Sequence, residues 1–303
     1  MEIKRKSNQP MSSINEICET TGNTHVLTLL GSPTGHSLSP AIHNLSFQLL
    51  GIDAVYRCFD VEDGELGEII GKLRAAENWD GGNVTMPCKQ AIIEHVDGLD
   101  ETAELMGAVN VLKRTGSMII GYNTDGRGFM TSLVKHGVEI PGSRMVLLGP
   151  GGAGSAILVQ AALDGVAHVD VFARAGGKSH HQAEELISRV VAHTACEIEL
   201  HDMADAADLK TCIQKSDILV NATPVGMGAS NGESPVPADF LKPGMVVADA
   251  IYHPRETRLI VDARERGCVA VPGLGMLLEQ AAAGEAIWYG VQMPIEEIER
   301  ALF

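Results

Sequence analysis

The chain has 303 residues, 45% of them hydrophobic and 20% charged, with a formal net charge of −16. That length and composition fit a globular protein of two ordinary domains, each able to bury a core. The negative charge argues against nucleic acid or an anionic membrane as the main partner, because both attract basic surfaces.

The opening MEIKRKSNQPMSS is basic and polar with no apolar stretch, so it does not read as a signal peptide, and residues 1–22 read as a loose tail. No apolar run reaches transmembrane length, and the expected location is the cytoplasm. Residues 25–30 (HVLTLL) then predict a strand and 40–50 a helix, followed by a strand over 54–59 and a helix over 66–75. A short strand is predicted at 82–85, a hairpin over 109–122 around Thr115-Gly116, and a helix over 126–135. A second unit opens with a strand at 144–148, a glycine-rich turn and a small-residue helix over 153–163. Strands at 169–172, 218–221, 246–249 and 269–271 and a helix at 182–191 follow. This alternation implies a parallel sheet with helices on both faces. The last two helices, 276–289 and 295–303, have no strand of their own to cover and are expected to return to the first unit.

Six cysteines are scattered at positions 18, 58, 88, 196, 212 and 268. None forms a CxxC pair or stands at zinc-finger spacing from a histidine pair, so no metal motif is legible and buried free thiols are expected. The adjacent His180-His181 do not share a helix face.

The turn Gly149-Pro150-Gly151-Gly152-Ala153-Gly154 follows a strand and opens a helix. In that context glycines allow a tight turn and let backbone amides approach a pyrophosphate, which predicts a dinucleotide site. At the end of the next strand an NAD site usually offers a carboxylate to the ribose diol. Here the chain reads Ala173-Arg174-Ala175-Gly176-Gly177-Lys178, and two cations suit a ribose 2′-phosphate, which favours NADP. In the first unit Ser37, Ser39, Asn83, Thr85 and Asn110 fall near strand ends, where α/β sheets build clefts. Ser39 taken alone, ahead of Pro40, reads as a helix N-cap. Hydroxyls and amides suit a polyol, and Lys89 with Asp125 suits a proton-transfer pair.

Eight ordered blocks over residues 26–303 resemble the shikimate dehydrogenase family: GSPTGHSLSPAIHN, NVTMPCK, GAVNV, GYNTDGRGF, LLGPGGAGSA, NATPVGM, DAIYHPRET and GLGMLLEQAA. The resemblance implies an N-terminal α/β substrate-binding catalytic domain over 1–125 and a Rossmann-type doubly wound dinucleotide-binding domain over 126–272. C-terminal helices over 273–303 would pack on the first domain. It implies NAD(P)-dependent reduction of 3-dehydroshikimate to shikimate, with Lys89 donating a proton to the C3 oxygen and Asp125 orienting the substrate hydroxyl and Lys89. Ser37 and Ser39 match residues that hold the substrate carboxylate, and Asn83, Thr85 and Asn110 match ring-hydroxyl contacts. Tyr252 and Gln280 complete the substrate set. Gly149, Gly151, Gly152 and Ala153 match the pyrophosphate turn, while Thr223, Met227, Gly273 and Met276 line the nicotinamide side. The expected partner is thus a small anionic cyclic polyol, and the chain is expected as a monomer or homodimer.

Two departures stand out. The family's usual Asn-Arg-Thr at the second strand end is here Ala173-Arg174-Ala175, which leaves both NADP and NAD open. The long segment between Arg174 and Asp217 is similar to that of quinate/shikimate dehydrogenases, so oxidation of quinate or of a shikimate analogue is the alternative. A nucleotide-sensing regulator is the non-enzymatic one, and retention of Lys89 and Asp125 speaks against it.

Overall fold

The protein, a computed structural model, is described over residues 23–303, so the expected tail and Cys18 lie outside the described residues. The chain forms two compact units, one of residues up to Thr124 together with Ala281–Phe303, the other Asp125–Gln280.

The first unit carries β1 (His25–Gly31), α1 (Ser39–Leu50), β2 (Ala54–Asp60), α2 (Leu66–Ala75), β3 (Trp79–Val84), β4 (Gly98–Leu99), α3 (Glu101–Met106), β5 (Val111–Thr115) and β6 (Met118–Tyr122). Its six-stranded sheet has the order β2-β1-β3-β5-β6-β4. The first three strands are parallel, whereas the β5–β6 hairpin adds antiparallel pairs. Strand β3 begins three residues earlier than the sequence suggests, because Trp79 is wholly buried and donates from its indole to Thr28 Oγ1. The two-residue β4 and the six-residue α3 were too short to leave a periodic signal.

The second unit holds α4 (Asp125–Lys135), β7 (Arg144–Leu148), α5 (Gly152–Leu163), β8 (His168–Ala173), α6 (Lys178–His193), β9 (Glu197–Asp202) and α7 (Ala206–Lys215). It continues with β10 (Ile218–Asn221), β11 (Val246–Asp249), α8 (Arg258–Glu265), β12 (Val269–Val271) and the first half of α9 (Leu274–Tyr289). Its sheet is all parallel in the order β12-β11-β10-β7-β8-β9. Numbered within the unit this is 3-2-1-4-5-6, the doubly wound dinucleotide-binding order, whose direction reverses between β7 and β10. Strand β9 (EIELHD) escaped sequence reading because it is an edge strand with charged alternate positions. The second unit runs on to Gln280, inside α9, whereas the sequence reading set the C-terminal helices apart from Gly273.

From Ala281 onward α9, followed by α10 (Ile295–Leu302), belongs to the first unit. Glu285 is wholly buried there, with His43 Nδ1 2.8 Å from its Oε1 and Ser46 Oγ donating to Oε2 at 2.6 Å. The His43 ring stacks on Tyr56 at 4.6 Å and meets Trp288 edge-on at 5.1 Å. Trp288 Nε1 donates to Leu112 O at 2.9 Å, and the Tyr289 hydroxyl to Asp80 at 2.9 Å. A carboxylate sealed in an aromatic core is tolerable only while its partners stay in place. Glu285→Ala is expected to cost about 3–5 kcal/mol in urea unfolding, and Glu285→Gln clearly less. Equal, small losses from both would show that the pair does not hold α9 in place.

Candidate active site

In the first unit the polar residues gather where β1, β3 and β5 meet their loops. Gly31 ends β1 at φ +153°, and a Cβ there would lie 2.4 Å from Thr85 Cγ2 and 2.6 Å from Met86 O. Only glycine lets the loops after β1 and β3 run this close, and Ser32 N donates to Met86 O at 2.9 Å across the seam. Thr34 anchors the first loop, giving its amide and hydroxyl hydrogens to Asp60 Oδ1 at 2.7 and 2.6 Å. Ser37 Oγ accepts from Ser39 N at 3.2 Å. The capping expectation for Ser39 is corrected: Leu38 is the N-cap of α1, and Ser39 is the first helical residue with Pro40 behind it. The Ser39 side chain instead meets the phenol of Tyr56.

Tyr56 is the residue that sequence reading missed here. Its buried hydroxyl donates to Asn83 Oδ1 at 2.6 Å. Burial pushes the phenol well above its ordinary value, and neighbouring Cys58 adds to this, while Ser39 and Asn83 pull the other way. The group therefore stays a proton donor at neutral pH. Asn83 Nδ2 passes the chain on to Asn110 O at 3.0 Å, and Asn110 brackets Thr124 through both ends of its amide. Lys89 is tied by its backbone carbonyl, which accepts from Val109 N at 2.8 Å. Ser39, Asn83, Asn110 and the Lys89 backbone thus share one hydrogen-bonded frame. Thr85 stands in the same loop as Lys89 and is half-buried.

In the second unit the site-forming residues lie at the C-terminal ends of β7, β10 and β11. Gly149 has φ +84°, and a Cβ there would strike Thr223 Cγ2 at 2.7 Å, while one on Gly154 would meet Gly149 O at 2.1 Å. The turn after β7 is therefore pressed against the loop after β10 at the point where strand order reverses. Gly151 and Gly152 are exposed with open space around them, and α5 begins without a side-chain cap. An uncapped twelve-residue helix with bare first-turn amides fits a pyrophosphate. Ala153 sits in that same first turn.

Asn221 pins the adjoining loop. Its Oδ1 accepts from Thr223 N and Oγ1 at 3.0 and 2.7 Å, and its Nδ2 donates to Val225 O and Asp249 Oδ1, both at 3.1 Å. Asp249 also accepts from Thr257 Oγ1 at 2.7 Å and Ile251 N at 3.0 Å. Met227 and Tyr252, 46% and 38% exposed, project from the loops these bonds fix. A Cβ on Gly273 would meet Ile251 O at 2.5 Å, so the α9 entry runs against the same backbone, with Met276 half-buried one turn on. Gly128 of α4 admits α9 so closely that a Cβ would lie 2.5 Å from Gln280 N. Asp125 stands one turn before Gly128 on that face.

Arg174 and Lys178 are exposed at the end of β8 and the start of α6. Asp202, at the end of β9, accepts from Ala175 N at 3.3 Å and Ala204 N at 3.1 Å. A carboxylate therefore borders the Arg174 loop, a feature that the position of β9 hid from sequence reading.

Residues 29–112 match the family described as shikimate dehydrogenase substrate binding domain, and 273–303 match the shikimate 5'-dehydrogenase C-terminal domain. A shikimate dehydrogenase (NADP(+)) of Listeria innocua is 42% identical over 95% of this chain and 99% of its own. The crystal structure of Listeria monocytogenes shikimate 5-dehydrogenase with shikimate and NAD is 41% identical, with a TM-score of 0.91 over 94% of this chain and 98% of its own. Quinate dehydrogenase from Corynebacterium glutamicum, in complex with NAD, stands further off at 27% identity and a TM-score of 0.80, over 91% of this chain and 98% of that one.

The network around Asp249 carries a pH signature. Burial raises its carboxyl from 3.8 to about 6, against the pull of Thr257, Ile251 and Asn221. The folded state thus holds this proton where the unfolded state has lost it. The stability tied to the proton is fully present below about pH 4 and is lost as pH rises to about 6, on the order of 3 kcal/mol in all. Urea unfolding of Asp249→Asn should show a shallower fall over that window than the wild type. Identical pH slopes would sink the assignment.

Proposed function

Since the chain belongs to the shikimate dehydrogenase family, we propose that it catalyses the reversible reduction of 3-dehydroshikimate to shikimate with a nicotinamide cofactor. The observation that carries this reading is the likeness to shikimate dehydrogenases along nearly the whole chain. The more distant likeness to a quinate dehydrogenase does not favour the quinate alternative.

The bound nicotinamide supplies the hydride that reaches C3 of the substrate. Lys89 gives its ammonium proton to the C3 oxygen as the carbonyl becomes an alcohol, and takes it back in oxidation. Asp125 orients the substrate hydroxyl and the Lys89 ammonium. Ser37 and Ser39 hold the substrate carboxylate, and Asn83, Thr85 and Asn110 hold the ring hydroxyls. An asparagine amide offers two donors and two lone pairs, so its framework bonds are compatible with a ligand. Tyr252 and Gln280 complete the substrate contacts. Gly149, Gly151, Gly152 and Ala153 take the pyrophosphate, and Thr223, Met227, Gly273 and Met276 the nicotinamide side. Residues 1–125 act as the substrate-binding part and 126–272 as the cofactor-binding part.

Arg174 and Lys178 bind the 2′-phosphate of NADP. Asp202 at the border of that loop moderates their field, so NAD is accepted as a weaker second cofactor. We assign the enzyme to the cytoplasm, as a monomer or homodimer.

Steady-state oxidation of shikimate and quinate, each with NADP and NAD, tests the reading. Shikimate with NADP is expected to lead by about tenfold or more in kcat/KM, a gap of about 1.4 kcal/mol. Quinate with NAD in front would reassign the substrate. Lys89→Ala should lower kcat by about 10²–10⁴-fold, the range for a lost general acid–base group, and a loss below about threefold would remove Lys89 from the mechanism. Arg174→Ala should lower kcat/KM for NADP by about 10–100-fold, as for a lost hydrogen bond to a charged group, while leaving NAD nearly unchanged. An equal loss with both cofactors would show that Arg174 does not read the 2′-phosphate.

A further inference from the structure

Strand β8 (HVDVFA) is buried along its whole length, yet it carries polar residues at alternate positions. His168 and Asp170, 5% and 4% exposed, point to the same face as Phe172. Strand β9 pairs in parallel with Asp170 opposite Glu199 and Phe172 opposite His201, which brings two further polar residues to that face. Helix α7 contributes Cys212, which packs into the core beneath it with Phe172, and one turn earlier Asp208. Nothing in the dehydrogenase reading uses this cluster.

Asp170 is the unusual member. A buried carboxylate needs a cation, and its ion-pair partners among the described residues are two imidazoles: His168 Nε2 at 2.9 Å and His201 Nε2 at 3.1 Å, both on Oδ1. His201 is held in one orientation. Its ring stacks on Phe172 with centroids 4.8 Å apart, and its Nδ1 lies 2.7 Å from Asp208 Oδ2. That is the carboxylate–histidine arrangement which fixes a ligating imidazole and leaves Nε2 to a metal. Donor atoms of Asp170, His201 and Cys212 lie within 4.8 Å of one another. Metal–ligand bonds of about 2.0–2.3 Å at tetrahedral angles set donors about 3.3–3.7 Å apart, so the gathering needs shifts of only about 1 Å.

We propose that Asp170, His201 and Cys212 form a binding site for a divalent transition metal of the zinc class, with His168 and Asp208 as the outer partners that orient Asp170 and His201. A mixed oxygen, nitrogen and sulfur set suits a borderline-soft ion rather than magnesium or calcium. On binding, Cys212 releases its proton to solvent and ligates as thiolate, and any hydrogen that His201 Nε2 shares with Asp170 leaves likewise, so that a neutral imidazole faces the ion. The ligands come from β8, β9 and α7, so no sequence spacing betrays them. The site lies within the second unit and joins β8, β9 and α7, with the fourth position of the ion left to water.

The full-length protein, stripped with a chelator and titrated with Co(II), tests this. One equivalent is expected to give tetrahedral cobalt absorption with a sulfur-to-cobalt charge-transfer band, displaced by Zn(II). Cys212→Ser should abolish that band and weaken Co(II) binding at least about tenfold. Asp208→Asn should keep the band and weaken binding by about 10–100-fold. Zn(II) should raise the Tm of the wild type and not that of Cys212→Ser, whose metal-free Tm serves as its folding control. No charge-transfer band at saturating Co(II), or a band unchanged in Cys212→Ser, would overturn the site. Shikimate oxidation run in parallel should be equal for stripped and loaded protein, and the cobalt titration reads the site whatever the substrate proves to be.

Discussion

Polar groups buried around strand ends must find hydrogen-bond partners within the protein. That constraint organises both halves of this molecule. In the second unit Asn221 and Asp249 meet it side by side, one fixing the loop through Thr223 and Val225, the other the loop through Ile251 and Thr257. In the first, Tyr56 of β2, Asn83 at the end of β3 and Asn110 ahead of β5 form a hydrogen-bonded line that reaches Thr124. The residues proposed to touch ligands sit on these frames, not on free loops, and preorganisation of this kind is what makes a positioned proton donor effective.

Glycine has two distinct uses in this arrangement. At Gly31, Gly154 and Gly273 it brings backbone against backbone, with distances that exclude any side chain, and at Gly149 it admits the Thr223 side chain. At Gly151 and Gly152 there is open space, so a side chain would be tolerated by the protein itself. Their smallness suits the proposed pyrophosphate site, since a Cβ would stand between the first-turn amides of α5 and that ligand. One short motif thus mixes glycines that folding requires with glycines that the fold leaves free for the proposed ligand.

Much of this was legible in the sequence. The strand–turn–helix around Gly149 and the alternating elements of the second unit follow from periodicity, since β7, β10, β11 and β12 are short apolar runs with little ambiguity. What escaped was set by tertiary environment. Strand β9 is charged on alternate residues because it lies at an edge, and α7 and α8 have helical faces too brief to stand out. Tyr56 looks like any strand aromatic until Asn83 and Ser39 are folded onto its hydroxyl. Asp202 lies near Arg174 only through the pairing of β8 with β9. Such proximities depend on register, which local pattern does not encode.

The first unit is discontinuous: it needs Ala281–Phe303, and the whole of the second unit is translated before those residues appear. On the ribosome, at about 5–20 residues per second, the strands of the first unit therefore wait roughly 10–30 seconds for the helix that covers them. During that interval His43 and Ser46 lack Glu285, and the pocket around Tyr56 lacks Trp288. The second unit, made of one unbroken stretch, can complete its core meanwhile. Order of synthesis and order of folding are thus inverted in this chain: the half that emerges first is the half that closes last, and a nascent or truncated product ending before α9 presents an unfinished aromatic core to the chaperones around it.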